Sequence, residues 1–338
     1  MTAVARAPGA DTGPELDKAL GAVLSRAWCD DVVVSGSRRL SGGASMETWL
    51  AVARRSGHPD EQVVLRRDRP GVPQSSRADE ARLLRLVADA GVPVPAVLAV
   101  GAQDELGAAY FVSAFLEGDT IPRRLLRDSR FAAARTRVLG QLARALAATH
   151  QVPAAAVPFL GPVQDAAALV SSYAGTLQEV GEPSPALELA LAWLADHLPG
   201  PVLPVLVHGD VRTGNLMVDE RGLVAVLDWE LAHLGDPRED LGWLCVRSWR
   251  FGHDEAPAGG WGSREQLVAG YEEAGGMPVD AVTLLFWEVF GTVKWGVICC
   301  VQAAMHLRGQ VRSLELAAIG RRLNEAEHDV LALLDGQV

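Results

Sequence analysis

Between two helical stretches, the chain breaks into three short apolar runs, Val205–Val207, Leu216–Val218 and Leu223–Leu227, each followed by a polar turn. Runs this short and this rich in branched residues are strands. Any fold for this chain must therefore set a small β insertion into a mainly helical body. The turns carry His208-Gly209-Asp210, Asn215 and Asp228, so three oxygen-bearing side chains fall at the ends of neighbouring strands.

The first third of the chain has a different rhythm. Leu16–Ala27 has helical spacing, Val32–Ser37 and Thr48–Arg54 read as strands around a glycine turn, and Gln62–Arg66 reads as a further strand. Ser76–Ala90 is an amphipathic helix closed by Gly91 with Pro93 beyond, and Val97–Val100 and Ala109–Phe115 supply two more strands. After Phe115-Leu116-Glu117-Gly118 the pattern turns helical over 131–150, 166–180, 187–197, 239–248, 264–274, 279–305 and 313–334. No repeat and no low-complexity linker interrupts it.

Asp and Asn are ordinary turn formers, but this set also suits phosphoryl transfer. One carboxylate receives the proton of a substrate hydroxyl, while an amide and a second carboxylate hold the magnesium that bridges nucleotide phosphates. Magnesium takes few hard oxygen ligands from protein and the rest from phosphate and water, which an Asn–Asp pair satisfies.

His208-Gly209-Asp210 with Asn215, followed by Leu227-Asp228-Trp229-Glu230, resembles the catalytic core of the aminoglycoside phosphotransferase and choline kinase superfamily. The longer string through Gly235-Asp236-Pro237 is most similar to bacterial phosphotransferase-family proteins and to the kinase domains fused to some acyl-CoA dehydrogenases. The resemblance covers nearly the whole chain. It implies an α+β, bilobal protein-kinase-like fold: a small N-lobe with an antiparallel sheet plus one helix, and a larger, mainly helical C-lobe. The expected division is a loose tail over 1–14, a nucleotide-binding N-lobe over 15–115, a hinge over 116–119 and a C-lobe over 120–338, with the nucleotide between the lobes. It also implies ATP and Mg2+ as cofactors.

Residue by residue, the resemblance makes Asp210 the base, with Asn215 and Asp228 as metal ligands. His208 is expected to brace the loop through hydrogen bonds. Gly42, Gly43 and Ser45 fall where the family covers the phosphates with a glycine loop, although Gly-Gly between strands is also an ordinary hairpin. The family places a lysine on the third strand; here Arg66 stands there, and Lys18 and Lys294 are the chain's two lysines. A guanidinium can grip phosphate oxygens while pairing with a carboxylate. Glu80, on the inward stripe with Leu83, Leu84 and Val87, is its expected partner. The backbone of Ala114, Phe115 and Leu116 should meet the adenine edge. Asp240 resembles the acid that anchors the catalytic loop from beneath, and is equally an ordinary first-turn acid. Asp236 reads as a cap or turn residue.

The acceptor is less defined. The resemblance puts Arg212, inside the catalytic loop, and Glu230, just past Asp228, toward the acceptor; Arg212 either holds an anionic acceptor or the γ-phosphate, or is a surface arginine. Lys294 stands alone in a nearly uncharged helix, so it either snorkels to the surface or is buried against a carboxylate or an anionic ligand. Arg123, Arg124, Arg127, Arg130, Arg135 and Arg137 form a basic cluster that suits the phosphates of a coenzyme A carrier or simply a solvated face. The C-terminal tryptophans line a cleft or fill the core. The acceptor expected is the hydroxyl of a small molecule, with the subgroup resemblance implying a hydroxyacyl-CoA; phosphorylation of an aminoglycoside, which wants acids, or another antibiotic, and a regulatory nucleotide-binding pseudokinase are the alternatives.

A net charge of −11 opposes wholesale nucleic-acid binding. Leu284–Met305 approaches membrane-spanning length but contains Glu288 and Lys294, so it reads as a buried helix and no membrane partner is expected. Residues 1–14 lack the apolar stretch of a signal peptide. Cys29, Cys245, Cys299 and Cys300 have neither metal nor disulfide spacing and read as reduced core residues, which points to the cytoplasm. The sequence leaves the oligomeric state open.

Overall fold

The computed structural model describes residues 13–42, 46–68 and 76–336. Gly43 and Ser45 of the expected phosphate loop, and most of the expected tail, lie outside the described residues. The chain divides into two compact units: the residues up to Asp89 with Pro93–Glu117, and Ala90–Val92 with the chain from Gly118 onward.

The first unit is a five-stranded antiparallel sheet in the order β1-β2-β3-β5-β4. Its strands are β1 (Val32–Gly42), β2 (Met46–Arg55), β3 (Glu61–Asp68), β4 (Val97–Gly101) and β5 (Tyr110–Ala114). Helix α1 (Gly13–Trp28) lays Leu16, Leu20 and Leu24 on the apolar face made by Val34, Ala51, Ala53, Val63 and Leu65. Strand alternation then sends Arg66 to the opposite face, where α2 (Arg77–Asp89) carries Glu80. The expected helices at 16–27 and 76–90 are thus α1 and α2, and α3 (Gln103–Leu106) is a single turn.

The second unit is mainly helical. Helix α4 (Pro122–Arg127) leads into α5 (Ala132–His150), α6 (Ala166–Val180) and α7 (Pro185–Asp196). Two antiparallel ribbons follow: β6 (Val205–Val207) pairs with β9 (His233–Gly235), and β7 (Leu216–Asp219) pairs with β8 (Gly222–Val226). Then come α8 (Arg238–Cys245), α9 (Arg264–Glu273), α10 (Ala281–Leu307), α11 (Leu314–Gly320) and α12 (Leu323–Leu334). Phe286, Trp287, Phe290 and Val293 of α10 pack with Leu187, Leu194 and Val330 in one core. Among the described residues α10 is the one helix long and apolar enough to cross a membrane, and 83% of its apolar window is buried inside the protein. Its Glu288 is neutralised by Arg250 at 2.8 Å and Arg264 at 2.7 Å.

Two local readings change, over 313–334 and at Cys29. The stretch expected to be one helix over 313–334 breaks after Gly320, where the backbone packs close to Ala303 of α10. Helix α4 and strand β9 are too short to carry a periodicity. Cys29 is exposed, unlike the three buried cysteines, whose thiol pKa values burial pushes up. Trp229, Trp243, Trp249, Trp261, Trp287 and Trp295 are all buried, so packing dominates their use.

Candidate active site

In the first unit, Arg66 donates from Nη1 to Glu80 Oε1 at 2.9 Å, so the expected pair forms. Glu80 is also gripped by Arg77, which in turn reaches Asp68 at 2.7 Å. Arg77 is almost fully buried, and nothing in its local sequence separates it from a helix-start arginine. Arg66 retains partial exposure, so its remaining donors can face a ligand. At the end of β5 the N–H groups of Ala114 and Phe115 are spent on Ala96 and Gln62 carbonyls at 2.9 and 3.1 Å. Among the described residues, the Leu116 N–H and the carbonyls of Phe115 and Leu116 take no such main-chain bond. Gly42 ends β1.

The second unit assembles the other predicted residues. The turn after β6 is held from several sides. Asp240, fully buried at the start of α8, accepts from the N–H groups of His208 and Gly209 at 2.8 and 2.9 Å. His150, from the end of α5, lies 3.1 Å from the same carboxylate and 2.8 Å from the Tyr271 hydroxyl. Burial alone would raise the Asp240 pKa; the His150 hydrogen bond and charge, with the loop amides, outweigh it and hold the group down at about 2. Asp240 is therefore the anchor of the loop rather than only a first-turn acid.

His208 is hydrogen-bonded at both ring nitrogens. Its Nδ1 accepts from the Asp210 N–H at 3.1 Å, which leaves Nε2 to donate to the Leu227 carbonyl at 3.1 Å. Burial pushes its pKa down and keeps it neutral, the state this bonding requires. The Asp210 carboxylate takes three donors: Trp243 Nε1 at 3.0 Å, Asn215 Nδ2 at 2.7 Å and Arg212 Nε at 3.2 Å. Arg212 also lies over the Trp249 ring, 5.1 Å from its centre. Trp243 had no role assigned from sequence, because its contact with Asp210 arises only when α8 packs under the loop.

Asn215 spends its amide hydrogens on the Asp210 side chain and main chain, leaving its carbonyl oxygen for another partner. Asp228 has φ +66°, an uncommon conformation for a residue with a side chain, and among the described residues its carboxylate takes no hydrogen bond or ion pair. These two hard oxygens fit a magnesium ion chemically. No three His, Cys, Asp or Glu side chains gather as a metal site among the described residues, so such an ion would draw its other ligands from phosphate and water.

Lys294 does not snorkel. It is 4% exposed, with Nζ 2.7 Å from the Gly209 carbonyl and 3.0 Å from Glu239. The partner of the buried charge is thus a carboxylate of the protein itself. Burial disfavours the ammonium, but Glu239 outweighs it and raises the Lys294 pKa. Glu239 also accepts from His233 at 3.1 Å. Behind this string lies a cavity of about 600 Å³, walled by Leu169, Val297, Val301 and Met305, with Tyr173 and Glu230 among its polar edges. Of the basic cluster, Arg124, Arg127, Arg130, Arg135 and Arg137 each donate to a protein oxygen, so only Arg123 keeps its full set of donors. Asp236 caps the turn into α8, accepting from the Arg238 N–H at 2.9 Å.

Comparison with known proteins gives this geometry a context. The mouse acyl-CoA dehydrogenase family member 10 is 32% identical over 202 residues, 55% of this chain and 18% of that protein, so the chain spans under a fifth of its length. A candidate aminoglycoside phosphotransferase from Ralstonia eutropha JMP134 shares the fold with a TM-score of 0.76 at 23% identity, over 94% of this chain and 98% of that one. Spectinomycin phosphotransferase, solved with ADP and spectinomycin, superposes with a TM-score of 0.63 at 13% identity, over 95% and 98% of the two chains. The family model for the phosphotransferase enzyme family matches residues 37–276, and with most of the chain inside that match, this protein belongs to the phosphotransferase enzyme family.

Proposed function

We propose that this phosphotransferase moves the γ-phosphoryl group of ATP, with Mg2+, to a hydroxyl of a small molecule, with Asp210 as the base. The observation that carries the reading is the bonding of the Asp210 carboxylate, which is aimed by three donors on a loop pinned by Asp240, His208 and Lys294. Positioning of this kind is what a loose phosphoryl-transfer transition state needs. The acceptor oxygen bonds to the γ-phosphorus as the bridging β–γ oxygen leaves with ADP, and Asp210 takes the acceptor's proton. Asn215 and Asp228 would hold the magnesium, which when bound neutralises phosphate charge. Arg66, set by Glu80, would grip the nucleotide phosphates. Arg212, partly exposed beside Asp210, is free to exchange its carboxylate for an anionic oxygen of either reactant.

The cavity beside Lys294 has one aliphatic wall, from Leu169, Val297, Ile298, Val301 and Met305, and polar residues over the rest. Its one lysine is already paired with Glu239, so of its two acids Glu239 is spent within the protein. A polycationic aminoglycoside would call on several acids, whereas a hydroxyacyl chain can lie along the aliphatic wall with its polar end among the polar residues. The acyl-CoA dehydrogenase relative agrees with that choice, and we favour a hydroxyacyl-CoA as the acceptor. Incubation with Mg-ATP and a panel of hydroxyacyl-CoAs, simple hydroxylated metabolites and aminoglycosides, followed by mass spectrometry, should give a one-phosphoryl mass gain on an acyl-CoA member. Asp210→Asn should lower that turnover by about 10²- to 10⁴-fold. Phosphorylation of aminoglycosides alone, or undiminished turnover by the variant, would refute the acceptor and the base respectively. Nucleotide binding without transfer to any member would favour the pseudokinase reading.

A further inference from the structure

Lysine is used twice in a chain that otherwise takes every cation as arginine, and one of the two is Lys294 in the interior. Its ammonium meets the Gly209 carbonyl at 2.7 Å, Glu239 Oε1 at 3.0 Å and the Trp243 ring at 4.7 Å from its centre. The same Trp243 ring donates its N–H to Asp210. Lys294 therefore touches the catalytic loop through two routes that both end at Asp210: the peptide oxygen immediately before it, and the indole that holds its carboxylate. Chemistry favours lysine over arginine here. A compact ammonium fits between a carbonyl, a carboxylate and a ring face, where a planar guanidinium would need a wider slot.

We infer that Lys294 is a positioning residue for phosphoryl transfer, fixing the Asp210 carboxylate through the Gly209 carbonyl and the Trp243 indole. Glu239 holds the ammonium charged in the interior. His233 orients that carboxylate, with its ring nitrogens 3.0 Å from Leu231 O and 3.1 Å from Glu239 Oε2. The peptide that Lys294 grips has no slack elsewhere. Gly209 lies at φ +79°, and a Cβ there would sit 2.4 Å from the Leu231 carbonyl. The Gly209 N–H goes to Asp240 and the Asp210 N–H to His208. Removing Lys294 releases the carbonyl, the ring face and Glu239, leaving the other anchors of the loop in place.

The inference rests on Asp210 as the base, and the test separates the two. Asp210→Asn, Lys294→Met and the double variant Lys294→Met/Glu239→Gln are compared for phosphate release from Mg-ATP with water as acceptor, for the KM of ATP, and for amide exchange over residues 208–215. The single Lys294 variant strands a buried carboxylate and is prone to misfolding; the double variant removes both charges. In the double variant, kcat should fall about 10²-fold, the KM for ATP should stay within about twofold, and exchange over 208–215 should rise while that over β1–β3 stays unchanged. Wild-type kcat or wild-type exchange in the folded double variant overturns the positioning role. If Asp210→Asn releases phosphate as fast as the wild type, the base assignment fails instead, whatever Lys294 does.

Discussion

The residue with most to lose from protonation is Asp240. It is fully buried and its charge is matched by two backbone N–H groups and His150, which bring its pKa from an ordinary 3.8 to about 2. A carboxylate whose folded pKa lies below its unfolded one stabilises the fold fully above the unfolded value, and loses that contribution as pH falls through 4 toward 2. The shift corresponds to about 2 kcal/mol. His208 acts in the same direction at higher pH, since burial keeps it neutral and acid must charge it below its ordinary 6.5. Asp240→Asn should cost about 2–3 kcal/mol at pH 7, because an amide cannot accept from both loop N–H groups and His150 as a carboxylate does. Urea denaturation across pH 7 to 3 should show the gap between wild type and variant closing below pH 4. A gap of constant size through that range would mean the carboxylate charge does not hold the loop.

At the scale of elements, α8 is the part on which the site is built. It offers Glu239, Asp240 and Trp243 to the loop, and Gly242 to α10, where a Cβ would lie 2.4 Å from the Trp287 carbonyl carbon and 2.8 Å from the Glu288 nitrogen. Those are backbone atoms and cannot swing aside. Gly242→Ala should therefore lift α8 off α10, costing about 1–3 kcal/mol in chemical denaturation and lowering phosphotransfer with it; a variant as stable and active as wild type would show that α8 tolerates the shift. The sequence allowed α6 to be read to the residue and the motif strands to within one, because periodicity and turn chemistry are local. It allowed Arg66 to be matched with Glu80 because strand alternation and the helical stripe fix their faces. It did not disclose Trp243 on Asp210, Glu239 on Lys294, or β9 beside β6. Those contacts join residues far apart in the chain, and no local pattern encodes them.

For the whole molecule, the same division separates what the chemistry is from what it acts upon. The residues proposed for phosphoryl transfer lie in one contiguous segment, 208–228, whereas the proposed acceptor cavity draws on α6, the turn before β9 and α10, elements joined only by folding. The nucleotide is the reactant whose binding can be tested without knowing the acceptor. A ligand that binds the native state alone stabilises it by about 2.7 kcal/mol at a hundredfold excess over its Kd, so Mg-ATP should raise the Tm of this protein in a concentration-dependent way. Arg66 is held to Glu80 by a single 2.9 Å contact, while Arg77 independently satisfies the same carboxylate. Arg66→Ala should thus leave Glu80 paired and the fold nearly as stable, yet shift the concentration of Mg-ATP needed for a given Tm rise upward by about tenfold or more, the loss of one charge-assisted phosphate contact. An Arg66→Ala protein with unaltered nucleotide dependence of its Tm would remove Arg66 from the proposed phosphate grip.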